Sequence, residues 1–293
     1  MPRVTGACAV GLRYLPRDLR PLCAVRHARR VGRPGGHVER LGPLRTGLAD
    51  SAGRPRGYAR RGCARRDCLV EAWRYGESSQ PGRIASRLGF PYHHFVGDWQ
   101  QEDWVSGVGL VCRWPMSEPR RRPLRSEDGA GTGEVVHVAV DGERGAIQLF
   151  AVMLDYPLGA SHIRQAQVKQ LASFIGEVTS NRDLVIVCGD FNAGPDSDEI
   201  RMLTGHSAAA SPGLVFYDSW EVAGDGSPGF TWSNRNPLAA IGLYPDRRFD
   251  YIFSAWPRRH GVGHPVHCAL LGVRAPGQDQ ISDHYGLVAD LRY

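Results

Sequence analysis

Leu184-Val185-Ile186-Val187-Cys188-Gly189-Asp190-Phe191-Asn192 is the stretch whose reading decides the fold. The apolar run Leu184–Cys188 reads as a buried strand. A carboxylate and an amide follow it at once. A second segment, Ser282-Asp283-His284-Tyr285, sets a carboxylate beside an imidazole just before another strand-like run, Gly286–Leu291. Polar groups at the ends of two strands point to one site assembled from separate parts of a sheet. Their chemistry suits phosphate: carboxylates hold Mg²⁺, an amide donates to a phosphoryl oxygen, and an imidazole moves protons.

Working outward, Cys68–Trp73 reads as a strand carrying Glu71, and Gly82–Leu88 as a short helix closed by Gly89. Val105–Cys112 is strand-like. Residues 119–134, rich in Arg, Pro and Gly, read as a surface loop. Val135–Val140 and Ala146–Leu154 are strands joined by Asp141-Gly-Glu-Arg-Gly145, a hairpin signal. Ser161 can cap a helix with Ile163, Ala166, Leu171, Phe174 and Val178 on one face. Asp196 and Glu199 resemble a capping box ahead of Ile200 and Leu203, with Gly205 as the stop. Phe249–Phe253, carrying Asp250, and residues 262–273 complete the strands. Hairpins mixed with strand–helix–strand connections favour a mixed α/β sandwich.

The 293 residues, 42% of them apolar, can bury a sizeable core. No apolar run approaches the roughly 20 residues that cross a bilayer, and no secretory signal is visible. The expectation is a cytoplasmic protein without integral membrane association, acting as a monomer. Charge is uneven: the overall +6 arises in residues 1–70, which hold 16 Arg against 4 acidic residues. Residues 1–67 recur in Gly, Pro and Arg without helical or alternating periodicity. They read as a disordered or frame-shifted start, with the domain over 68–293; the functional alternative is a basic nucleic-acid-binding arm.

Seven cysteines, at 8, 23, 63, 68, 112, 188 and 268, contain no CxxC pair. Buried free thiols are the expectation, with a Cys63–Cys68 zinc site as the alternative. His264 and His267 read as surface histidines.

The order of strand-Glu71, Gly107–Pro115, Gly189-Asp-Phe-Asn192, Arg248-Phe-Asp-Tyr251 and Ser282-Asp-His284 resembles the endonuclease/exonuclease/phosphatase superfamily over residues 68–293. The resemblance implies a four-layer α/β sandwich, two mixed β-sheets face to face with helices outside. It also implies a metal-dependent hydrolase, using Mg²⁺ or Mn²⁺, that acts on a phosphodiester or phosphomonoester. Nucleic acids, phospholipids and inositol phosphates are the substrate classes it carries. Carried over by position, Glu71 and Asp283 are implied as metal ligands. Asp190 orients or deprotonates the attacking water, Asn192 holds the phosphoryl group, and Asp250 orients His284, which acts on the phosphate. Trp232 and Asn236 also resemble family landmarks and are read as shaping the substrate cleft, with ordinary packing as the alternative.

Two departures stand out. Family members open with a strand ending in Trp-Asn or a similar pair, and residues 1–67 contain no match, so the first strand is expected to be missing. Where relatives carry a second histidine, Met153 stands in Val152-Met153-Leu154. A thioether neither donates a hydrogen bond nor takes up a proton at working pH. These departures motivate a second reading: a phosphate-binding protein of this fold with impaired turnover.

Overall fold

The computed structural model describes residues 8–13, 23–25, 66–100, 104–126, 128–180, 182–256, 261–273, 280 and 282–292. Its strands form two sheets. The first contains β1 (Cys8–Arg13), β2 (Cys23–Val25), β3 (Arg66–Tyr75), β4 (Ser78–Ser79), β5 (Tyr92–Gln100) and β6 (Val105–Cys112), joined late in the chain by β13 (Pro265–Leu271) and β14 (Gly286–Leu291). Their order is β13-β14-β1-β2-β3-β6-β5, with β4 paired to β3. The second sheet contains β7 (Arg120–Leu124), β8 (Gly133–Gly142), β9 (Gly145–Met153), β10 (Leu184–Asp190), β11 (Phe216–Asp218) and β12 (Asp250–Ala255), in the order β11-β12-β10-β9-β8-β7.

Alternation along the strands builds the layers. Val108 and Leu110 of the first sheet meet Val136, Leu149, Ile186 and Ile252 of the second in one buried cluster between the sheets. The outer face of the second sheet, through Val185, Val187 and Phe253, packs beneath α2 (Ser161–Val178) and α3 (Asp198–Thr204). The outer face of the first, through Leu69 and Val111, packs beneath α1 (Gln80–Leu88). The result is the expected four-layer sandwich.

Several local expectations need correction. The helix expected from Gly82 begins two residues earlier, where the Ser79 hydroxyl accepts the Gly82 N–H at 3.2 Å. Ser161 lies inside α2 rather than capping it, and its hydroxyl donates to Glu199 Oε2 at 2.7 Å. Glu199 is therefore not half of a capping box: it is fully buried and receives Arg164 Nε at 2.6 Å. The packed face of α2 is accordingly rotated toward Val168, Leu171 and Ile175, leaving Ile163 and Ala166 half-buried. Residues 119–134 are not all loop. They include the edge strand β7, where Arg121 bridges Asp98 and Glu134, each at 2.6 Å, and Arg122 pairs with Glu177. Charged side chains suit an edge that must resist further pairing.

Of residues 1–67, the segments 8–13 and 23–25 stand in the first sheet, β1 lying antiparallel to β3 and parallel to β14. The rest of the segment up to residue 65, including Cys63 of the alternative zinc pair and the remaining arginines of the basic arm, lies outside the described residues. Cys68, Cys112, Cys188 and Cys268 are buried thiols that form no disulfide. Among the described residues no helix is long and apolar enough to cross a membrane.

Candidate active site

β10 brings the first acid to the edge between the sheets. Leu184, Ile186 and Cys188 face the other sheet, so two-residue alternation sends Asp190 the same way. Gly189 is required here: its φ is +139°, and an added Cβ would lie 1.9 Å from the Val152 carbonyl oxygen. Beyond the strand, Phe191 turns into the outer core against Tyr251 and Phe253. Asn192 then adopts a left-handed φ of 49°, which Asn tolerates better than most residues. Its backbone N–H donates to Asp190 Oδ1 at 2.8 Å, and its Nδ2 donates to the Leu154 carbonyl at 2.9 Å.

Neighbouring strands complete the edge. Asp190 pairs in register with Asp250 on β12 and with Met153 on β9. Asp250 is fully buried and accepts a hydrogen bond from His284 Nδ1 at 2.8 Å. One ligand atom from each of Asp190, Asp250 and His284 lies within 4.8 Å of the others.

Glu71 arrives from the first sheet by a break in register. Cys68 and Val70 face the inter-sheet core and Leu69 the outer one; strict alternation would turn Ala72 inward. A bulge between Leu69 and Ala72 puts Ala72 outward instead, and Glu71 takes a φ of 53° within it. A non-glycine residue there is strained, a feature that gathers at functional sites.

The electrostatics record the crowding. Burial, then the charges of Asp283 and Asp190, push the Glu71 carboxyl well above the usual range, with His284 pulling the other way. Asp190 is pushed up to about 7 by burial and the Asp250 charge, against the pull of His284 and the Asn192 N–H. Burial would lower the His284 pKa, but the Asp250 charge and hydrogen bond, with Asp190 and Asp283, outweigh it and raise the group to about 10. Asp283 is buried and accepts from the Ser282 hydroxyl at 3.2 Å; the same hydroxyl accepts the His284 N–H.

Thus Glu71, Asp190, Asp250, Asp283 and His284 feel one another at a single edge, with Asn192 beside Asp190. Trp232 is half-buried and meets the His284 ring edge-on at 5.0 Å between centroids. Asn236 sits behind the site, fully buried. Its Nδ2 donates to the Ser282 carbonyl at 2.8 Å, and its Oδ1 accepts the Leu238 N–H at the start of α5 (Pro237–Ala240). His267, read as a surface histidine, is exposed and has Asp290 at 3.5 Å. Sequence reasoning passed over Ser282 and Thr231. Ser282 was visible as the first residue of Ser-Asp-His; Thr231 had no signal, since its partners lie 18 or more positions away.

A cavity of about 750 Å³ lined by Gly194, Asp218, Trp220 and Arg248 includes none of Glu71, Asp190, Asn192, Asp250, Asp283 and His284. Oxygen donors on Glu71 and Asp283 are of the kind a hard divalent cation takes, while the donor atoms within 4.8 Å of one another among the described residues belong to Asp190, Asp250 and His284. The raised carboxyl groups of Glu71 and Asp190 are what an excess of buried negative charge produces, and a bound cation would relieve it. The residues therefore fit such an ion.

Comparison with known proteins places the chain. The family model for the Endonuclease/Exonuclease/phosphatase family matches residues 16–284. A comparison with curated protein sequences gave no match. Among solved structures, an endonuclease/exonuclease/phosphatase family protein from Leptotrichia buccalis superposes with a TM-score of 0.55 at 15% identity, covering 77% of this chain and 86% of that one. The human Nocturnin catalytic domain with bound sulfate anion gives 0.51 at 19%, covering 71% and 74%. The endonuclease/exonuclease/phosphatase from Bacteroides vulgatus gives 0.54 at 16%, covering 72% and 79%. At these identities the likeness is one of fold; with the family model spanning most of the sequence, the chain belongs to the endonuclease/exonuclease/phosphatase family.

Proposed function

We propose that this chain hydrolyses a phosphodiester or phosphomonoester with the help of Mg²⁺ or Mn²⁺. The observation that carries the reading is the convergence of Asp190, Asp250 and His284, with the last two joined at 2.8 Å. In this reading Glu71 and Asp283 hold the cation, which supplies charge neutralisation on the phosphoryl oxygens. An ion between Asp250 and His284 would have to break their hydrogen bond, so the first-sheet side is the better seat.

Asp190, perturbed toward neutrality, is suited to accept a proton from the attacking water. Its Oδ1 is fixed by the Asn192 N–H, which aims the carboxylate. The Asn192 amide has two N–H groups; one is held by Leu154, and the other donates to the phosphoryl oxygen. Asp250 fixes the His284 tautomer and keeps the ring protonated, so that Nε2 donates to the phosphate as negative charge develops. The sulfate in the similarly folded Nocturnin domain, a tetrahedral dianion like phosphate, supports an anion of this shape. Nucleic acids, phospholipids and inositol phosphates are the substrates to screen.

The test is hydrolysis of bis(p-nitrophenyl) phosphate and p-nitrophenyl phosphate with Mg²⁺, Mn²⁺ or EDTA. Metal-dependent turnover lost in Asp190→Asn and His284→Ala is the expected result; turnover indifferent to both substitutions sinks the reading. Met153, in register beside Asp190, favours the second reading, a phosphate-binding protein without turnover. Phosphate binding by calorimetry with no hydrolysis of any substrate screened would decide for it.

A further inference from the structure

Thr231 is fully buried and hydrogen-bonds to Asp250 and to Tyr285, the residue that follows His284. Its hydroxyl oxygen accepts two backbone N–H groups, Phe249 at 3.0 Å and Asp250 at 3.2 Å. Its own carbonyl accepts the Tyr285 N–H at 2.7 Å. One residue therefore grips the chain at Asp250 through its side chain and immediately after His284 through its backbone. The next residue extends the grip. Trp232 exchanges backbone hydrogen bonds with Arg247, each at 2.9 Å, and forms a β-bridge with His284 while its indole edge meets the imidazole. Asn236 closes the segment by donating to the Ser282 carbonyl at 2.8 Å.

Strand β12 is in the second sheet and β14, which follows His284, is in the first. Nothing in either sheet's ladder fixes the distance between Asp250 and His284; that distance is set where the sheets face each other at their edge. A hydrogen bond of 2.8 Å across two sheets needs a cross-tie, because small shifts between packed layers would lengthen it.

We infer that Thr231 is a positioning residue, which holds Asp250 and His284 in bonding register across the two sheets. This inference rests on the proposed roles of Asp250 and His284 in phosphate ester hydrolysis. Replacing the hydroxyl by a methyl leaves two buried N–H groups without their acceptor and frees the start of β12 from the tie. The effect on chemistry follows from geometry, since displacement of a catalytic group by about 1 Å costs up to about 100-fold in rate.

The experiment compares Thr231→Val, of similar shape but without the acceptor, with Thr231→Ser, which keeps it. Two readouts are taken on protein shown to be folded by its thermal transition. The first is kcat and KM for bis(p-nitrophenyl) phosphate. The second is the downfield imidazole N–H proton resonance of the Asp250–His284 hydrogen bond, assigned by its absence in His284→Gln. The expected result is a kcat about 10- to 100-fold lower in Thr231→Val with KM unchanged. The resonance is then lost or shifted upfield, and Thr231→Ser restores both. Should Thr231→Val not fold, Thr231→Cys, whose sulfur is a weak acceptor, takes its place with the same expectation. A variant that melts at a lower temperature yet keeps kcat per folded molecule and the wild-type resonance overturns the inference. If the wild-type chain hydrolyses nothing, the hydrolase reading fails alone, and the resonance still decides the role of Thr231.

Discussion

Two groups of buried and half-buried acids among the described residues differ in what surrounds them. Glu199 and Asp218 each face one arginine at 2.6 Å, Arg164 and Arg248, and both partners of each pair are buried. Glu71, Asp190, Asp250 and Asp283 instead crowd around one imidazole. A guanidinium matches one carboxylate in charge and in fork geometry, so the first setting is closed. The second has surplus negative charge at an edge where two sheets meet, and like charges set directly opposite one another on paired strands destabilise the sheet. Glu199 and Asp218 have an arginine counterion built into the fold; a site proposed for a cation and a phosphate draws its counterion from the bound ion.

The comparison breaks most visibly in activity. His284→Ala should lower turnover per folded molecule by about 10²–10⁴-fold, the usual contribution of a positioned acid–base group, over and above the stability lost by leaving Asp250 without its partner. Steady-state rates on folded protein check this. Arg164→Ala should cost stability without changing turnover per folded molecule. It strands Glu199 in the core and costs about 3–5 kcal/mol in urea unfolding, a general loss of folded protein rather than a defect in chemistry.

Cation binding sharpens the contrast at smaller scale. Mg²⁺ at about 100 times its Kd should stabilise the wild-type fold by about 2.7 kcal/mol. Glu71→Gln should remove most of that gain, and Glu177→Gln, an exposed partner of Arg122, should leave it intact. Calorimetric melts with and without the ion decide.

The smallest effect is on pH. Asp190 titrates near 3.8 unfolded and about 7 folded, so the folded state holds this proton more tightly and its contribution to stability falls as pH rises through that interval. His284, raised from 6.5 to about 10, contributes stability below 6.5 that is lost as pH climbs toward 10. Both slopes have the same sign, and metal-free protein should lose stability at this site from acid to alkaline pH. Asp190→Asn should lessen the slope between pH 4 and 7, where Glu71 also contributes, and weaken the upper part, because the Asp190 charge helps raise His284. A melting-temperature profile unchanged by the substitution would contradict the assignment.

Much of the frame was legible in residue order. Apolar runs closed by glycine or a turn marked β6, β10 and β14, and Asp141-Gly-Glu-Arg-Gly145 marked the hairpin between β8 and β9. Strand β7 was missed because Arg120-Arg121-Arg122 looks like a solvated loop until Asp98, Glu134 and Glu177 arrive from distant segments. The caps at Ser161 and Glu199 were misread for the same reason: short-range capping lost to a buried ion pair 35 residues apart. At the site, Gly189 and Asn192 carry their conformations in their residue types. Glu71 does not, since a positive φ on glutamate follows from the bulge in β3 and not from the residue.

The sequence alone determined which chemistry was available: which strands end in carboxylates, which loop carries an imidazole, and which family the order of these motifs belongs to. Those properties are local, set by side-chain type and two-residue alternation. The tertiary structure decided distance and charge. It brought Asp190 beside Asp250, tied Asp250 to His284 across two sheets, and paired Glu199 and Asp218 with buried arginines. Such features depend on contacts between residues tens of positions apart, where the pairing of strands and the packing of layers, not the neighbours in the chain, fix which charges meet.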